Sequence, residues 1–228
     1  MNMKCPGAKL MRQPAPEIFR CPSCGYEVEI WTDEISVSCR NCSTVVTRFQ
    51  DMNCIEWCKI ARDCIGDRQY ASYMESRVKS VKQRLLIALG ERFGPDHRRM
   101  EHAKTVLRYA EEVLSREGGD SHIVIPAAML HDIGPGDEIG SHGRSGEEEA
   151  KKFLLKEGLQ MEYIDEICGI ITTLHEDREG GSMNYKIVHD ADRLASLKEE
   201  SGRMKKMQPE TVFLTPAGRA LAKRANLL

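Results

Sequence analysis

Eight of the nine cysteines fall within residues 5–64, and four of them form two Cys-x-x-Cys pairs, Cys21/Cys24 and Cys39/Cys42, with fourteen residues between. Four thiolates at that spacing can close a tetrahedral shell, which zinc prefers, and metal then supplies the folding energy that so short a segment cannot draw from a core. Between the pairs, Tyr26-Glu27-Val28-Glu29-Ile30-Trp31 and Ile35-Ser36-Val37-Ser38 alternate apolar and polar with the period of two of half-buried strands. Residues 1–66 are therefore expected as a small β module around a structural zinc. Clustered pairs of this kind mean metal rather than disulfides in a reducing compartment, so a cytoplasmic protein is expected.

The module resembles a zinc ribbon. Many ribbons bind nucleic acid, but residues 1–66 hold eight basic and eight acidic side chains with no basic run, which disfavours nucleic acid. A protein partner, a second copy of the chain or its own helical domain is the better expectation. Cys54, Cys58 and Cys64 follow closely, and a helix would put Cys54 and Cys58 on one face. With Cys5 they could complete a second four-thiolate site for zinc or an iron–sulfur cluster. Burial as small apolar residues is the alternative.

From about Asp67 the hydrophobic period changes to 3.6. Tyr70, Tyr73, Met74, Val78, Val81, Leu85 and Leu89 lie along one stripe of a long amphipathic helix that Gly94-Pro95 ends. A second helix runs through His102, Val106, Tyr109 and Val113 to Gly118-Gly119, and a short one leads into His131-Asp132. A Gly-rich loop is expected over 134–146, then helices over 147–157, 160–175 and 184–200. With no strand-like alternation after residue 66, the expectation is a mainly α protein, in which residues 67–228 form an all-α domain with its core at about 95–200.

Charge is unevenly spread. Residues 105–200 carry 21 acidic against ten basic side chains, a field that suits cations and opposes a nucleic-acid groove there. No segment approaches the roughly 18 uncharged apolar residues of a membrane span, so no membrane is expected as a partner.

That acidic segment also holds the metal-ligand types. His131-Asp132 ends the apolar run Ile125 to Leu130, His102 shares an inward helix face with Val106, Tyr109 and Val113, and His142, His175 and Asp192 follow. Bundle cores build metal sites from side chains on facing helices in this way. Mixed imidazole and carboxylate donors suit Mn, Fe, Co, Ni or Zn.

The pattern His…His-Asp…Asp, over roughly residues 95–200, resembles the HD superfamily of metal-dependent phosphohydrolases. The resemblance implies an HD-type helical bundle in which His102, His131, Asp132 and Asp192 hold the main metal. Asp192 is preferred to Asp190 because Ala191-Asp192-Arg193-Leu194 matches the family's context, and Asp190 would then orient a ligand histidine. His142 and His175 match the two further histidines of HD proteins that hold two metals, with Asp132 as a bridge.

The implied activity is hydrolysis of a phosphomonoester or nucleotide by a metal-activated water. Arg144, Lys104, one helical step from His102, Lys186 and Arg193 are the candidates for meeting the phosphate. Asp137 or Glu138 is a candidate general acid, but Pro135 stands where some HD nucleotidases carry a Glu, which leaves that role unassigned. Two other readings stay open: a two-iron HD-type oxygenase, and a non-catalytic nucleotide-binding sensor or adaptor.

Overall fold

A computed structural model describes residues 13–34, 36–47, 54–134, 142–174, 180–199 and 212–225, with the backbone alone at 47, 54, 57 and 142–144. Two compact units divide within one long helix, the first ending at Arg84 and the second beginning at Leu85. Among the described residues no helix is long and apolar enough to cross a membrane.

In the first unit, β1 (Pro16–Arg20) pairs antiparallel with β2 (Glu27–Trp31), and β3 (Ser36–Ser38) with β4 (Val45–Thr47). β2 and β3 match the expected strands to within a residue. Their partners had no sequence signal: β1 begins on a proline, and β4 is only three residues long. Each Cys-x-x-Cys pair makes the turn of a hairpin. Cys21 donates its N–H to Tyr26 O at 2.9 Å, and Cys39 to Thr44 O at 2.8 Å.

The residue after each second cysteine is left-handed, Gly25 at φ 71° and Ser43 at φ 60°. Glycine takes that conformation freely, whereas Ser43 pays a steric cost that the rest of the knuckle must offset. Val28, Ile30 and Val46 are the buried apolar residues, with Phe19 and Val37 against them and Cys21 and Cys39 completing the cluster. So small a core makes the thiols the main source of stability.

Two short helices follow, α1 (Cys54–Trp57) and α2 (Ala61–Ile65), and then α3 (Asp67–Phe93). Ile55, Ala61 and Tyr73 form a small apolar cluster with Cys58, Ile65, Tyr70 and Met74 against it. Glu56 seals its edge, accepting from Tyr73 Oη at 2.9 Å and pairing with Arg77 at 3.0 Å. Cys58 thus packs as a small apolar side chain. Cys5 and the side chain of Cys54 lie outside the described residues.

The second unit is a helical bundle, α4 (His97–Glu117), α5 (Ser121–Leu130), α6 (His142–Lys156), α7 (Met161–Thr173), α8 (Met183–Glu199) and α9 (Pro216–Arg224) following the end of α3. α4 is capped by Asp96, whose carboxylate accepts from Arg99 N at 3.1 Å, and ends at Gly118. α5 is capped by Asp120 and buries every residue from Ile123 to Leu130, so it can only be a central helix. It packs against α4, α7 and α8. Burying its C-terminal end places His131-Asp132 among neighbouring helices.

Two differences from expectation concern the helices. The helix expected from 147 begins at His142, which shortens the Gly-rich loop. α9 was not anticipated, although Thr215-Pro216 is a good helix start, with Thr215 Oγ1 accepting from Gly218 N at 2.9 Å and proline in the first turn.

Candidate metal centres

The first candidate centre is the set of knuckle thiols. Cys21, Cys24, Cys39 and Cys42 bring their sulfurs within 4.8 Å of one another, with Cys21 to Cys42 and Cys24 to Cys39 each at 3.6 Å. Disulfides would need about 2.05 Å. A zinc tetrahedron with Zn–S near 2.3 Å has edges of about 3.8 Å, so the thiols are arranged for a metal and none is oxidised. Thr44 pulls the Cys42 thiol down to about 6, and Asn41 and the Tyr26 backbone lower Cys24, while burial pushes Cys21 up to about 11. Two sulfurs are thus predisposed to ionise, and an arriving cation must displace the proton of Cys21.

Replacing Cys24 by Ser opens this shell. The expected result is loss of one metal per chain and rapid proteolysis within residues 13–47, with the helical circular dichroism almost unchanged. A protease-resistant module with full metal content would refute the stabilising role.

The second candidate centre lies where α4, α8 and the end of α5 meet. His102 Nε2 and His131 Nε2 face each other at 3.3 Å. Asp192 Oδ1 is 3.3 Å from the first and 3.6 Å from the second. Asp132 Oδ2 is 3.6 Å from His131 Nε2 and 3.9 Å from His102 Nε2. Nitrogen and oxygen ligands at about 2.0–2.2 Å from one ion lie about 3.3–3.6 Å apart in a tetrahedron. His102, His131 and Asp192 fit such a shell, and Asp132 stands at its open edge, its side chain 45% exposed.

Helix geometry explains why these four meet. His131 sits at the C-terminal end of α5, where unpaired carbonyls favour a cation, and its Nδ1 donates to Ala128 O at 2.9 Å. That bond keeps a proton on Nδ1, so Nε2 faces the centre and is the nitrogen that offers a lone pair once the ring is neutral. Arg99, from the first turn of α4, donates to Asp132 O and to Gly134 O while its guanidinium covers the Phe93 ring at 4.3 Å. It satisfies the carbonyls past the helix end and fixes the turn that carries Asp132.

The electrostatics are those of a cation site. Asp192 raises His102 by hydrogen bonding, against burial. Burial opposes a charged His131, yet the carboxylates of Asp192 and Asp132 outweigh it and hold the ring up to about 9. Burial likewise opposes the charge on Asp192, but His102 and His131 keep it well below the usual carboxylate range. The same field that holds protons here would favour a divalent ion, whose binding would displace them.

Other candidates fare differently. Lys104 pairs with Glu101 at 2.7 Å on the exposed side of α4. Two residues along a helix is about 200° of rotation, not one step along a face, so Lys104 turns away from His102. Arg193 is exposed, about 100° round α8 from Asp192. Among the described residues Asp190 meets neither His102 nor His131. Fully buried, it accepts from Leu214 N at 2.8 Å, Thr215 N at 2.8 Å and Thr215 Oγ1 at 2.6 Å, and lies 3.1 Å from His189 Nδ1. The side chains of His142 and Arg144, and all of Pro135, Asp137, Glu138 and His175, lie outside the described residues.

Sequence reasoning missed Arg99 and Glu199. Nothing in the spacing of Arg99 sets it apart from its neighbour Arg98. Glu199 stands seven residues after Asp192, a two-turn repeat that could have marked a shared face.

Residues 99–197 match the family model described as HD domain. Among solved structures, the chain is similar to the crystal structure of a "predicted HD superfamily hydrolase" from an uncultured Thermotogales bacterium, at 29% identity over 62% of this chain and 83% of that one, with a TM-score of 0.49. No curated protein matches the chain. His102, His131, Asp132 and Asp192 all fall inside the matched span.

Proposed function

We propose that the chain hydrolyses a phosphomonoester or nucleotide at the His102/His131/Asp132/Asp192 cluster, a reading supported by the match of residues 99–197 to the HD domain model. The observation that carries the proposal is the meeting of two Nε2 atoms and Asp192 Oδ1 within 3.3–3.6 Å at the end of a buried helix. A divalent transition metal bound there would lower the pKa of water and neutralise charge on a phosphoryl oxygen. His131, with its side chain only 1% exposed, closes the inner side of the centre to solvent. Asp132, half-exposed, faces the open side, where a substrate can enter and where a second ion would share its carboxylate; the family resemblance assigns the further ligands of such an ion to His142 and His175.

At the N-terminus, the four thiols hold a structural zinc in a ribbon-like module that docks a protein partner or a second copy. Ile18, Tyr26 and Trp31 are exposed there, apolar area of the kind interfaces use. The balance of basic and acidic residues gives no footprint for nucleic acid. The reducing compartment that free thiols require is met in the cytoplasm.

Metal-stripped protein, restored with Mn²⁺, Fe²⁺ or Co²⁺ and tested on a panel of nucleotides and sugar phosphates, is expected to release phosphate only when metal is present. Titration is expected to show one or two ions per helical domain. A panel without turnover under every metal would overturn the hydrolase proposal, and oxygen uptake by an iron pair would replace it with an oxygenase.

A further inference from the structure

One imidazole of the cluster is held from both ends by a single helix. His102 Nε2 is 3.3 Å from Asp192 Oδ1, and its Nδ1 is 2.7 Å from Glu199 Oε1. Both carboxylates come from α8, seven residues apart, which is two turns and about 20° of drift, so they project from one face. The His102 ring from α4 lies across that face.

The two histidines of the centre are therefore oriented by different chemistry. His131 gives its Nδ1 proton to the neutral carbonyl of Ala128 at 2.9 Å. His102 gives its own to a carboxylate, a charge-assisted bond that transfers more electron density to the opposite nitrogen. Without an acceptor at Nδ1, a neutral imidazole is free to carry its proton on Nε2, where it blocks a metal. Glu199 lies beyond the span that matches the HD domain, and no role in the centre was expected of it.

We infer that Glu199 is a positioning residue for metal binding: its carboxylate fixes the Nδ1–H form of His102 and makes Nε2 the stronger donor of the two imidazoles. The inference rests on the metal centre proposed above. α8 thereby supplies both a direct ligand and the group that prepares another ligand. Glu199 acts through His102, so its effect is on affinity before it is on turnover.

The test uses the full chain, stripped of metal and titrated with Mn²⁺, which thiolates bind poorly, with free Mn²⁺ read by electron paramagnetic resonance. Glu199→Ala is expected to weaken Mn²⁺ binding about 10–100-fold. Glu199→Gln, whose amide oxygen still accepts from Nδ1, is expected to recover part of that loss. Nitrogen NMR of the metal-free protein, taken at a pH high enough for the His102 ring to be neutral, should place its proton on Nδ1 in the parent and redistribute it in Glu199→Ala, with thermal unfolding unchanged.

Equal Mn²⁺ affinity in parent and Glu199→Ala overturns the inference alone. So does a loss of affinity matched by a loss of folding that Gln does not restore, because that is the signature of a merely structural contact. A parent that takes up no Mn²⁺ overturns the metal centre and the inference together.

Discussion

His131→Ala is expected to lower kcat/KM for any phosphoester substrate by about 10³-fold or more, about 4 kcal/mol of transition-state stabilisation, while the helical circular dichroism stays near that of the parent. The loss is large because His131 is buried and no neighbour can replace it. The ring contributes an Nε2 within 3.6 Å of three other donor atoms, so its removal opens the shell from the inside. It also leaves the Ala128 carbonyl without its side-chain partner. Turnover and bound metal should fall together, with the N-terminal metal retained. A His131→Ala protein that keeps full activity would show that the chemistry lies elsewhere.

The second large effect concerns stability. Asp190→Ala is expected to cost about 3–5 kcal/mol, because it strips the acceptor from two backbone N–H groups and one hydroxyl in a dry setting. A typical domain has only about 5–15 kcal/mol in all. The Asp190 carboxylate sits where α9 begins, so it also meets the positive end of that helix. Gly218 explains how close the approach is: a Cβ there would overlap the Asp190 carboxylate.

Gly218→Ala should therefore damage the same contact from the other side, at comparable cost. Urea unfolding followed by circular dichroism checks both, and shifts below about 1 kcal/mol in both variants would show that the clasp carries little of the stability. Because Asp190 and Asp192 share α8, looser anchoring of the helix should also weaken metal binding.

Much of this was legible in the residues. The 3.6 period from Asp67 onward marked the helices, since each buries one stripe, and the apolar run before His131 marked a central element. The Cys-x-x-Cys spacing announced a closed thiol shell because its chemistry is local. His102, His131, Asp132 and Asp192 could be named in advance because few side-chain types ligate transition metals and all four sat on helices or at their ends.

What escaped was long-range or short-lived in sequence. Glu199 and Arg99 act across the bundle, His102 being 97 residues from Glu199, and a charged residue near a helix end looks like any solvated one. Lys104 looked close to His102 along the chain, but rotation about α4 separates them. β1 and β4 are too short or too proline-marked to show alternation. The role of Asp190 depended on α9, a nine-residue helix whose single apolar edge gave too little pattern to register.

The Asp190–Thr215 clasp also sets an order of events on the ribosome. The carboxylate is synthesised 25 residues before the groups that receive it, and chains fold in the order they emerge. Until Leu214 and Thr215 have been made, the Asp190 carboxylate lacks the three donors it accepts from in the folded protein. The helix that carries Asp192 is therefore anchored by residues made after it, none of which stands in the candidate centre among the described residues.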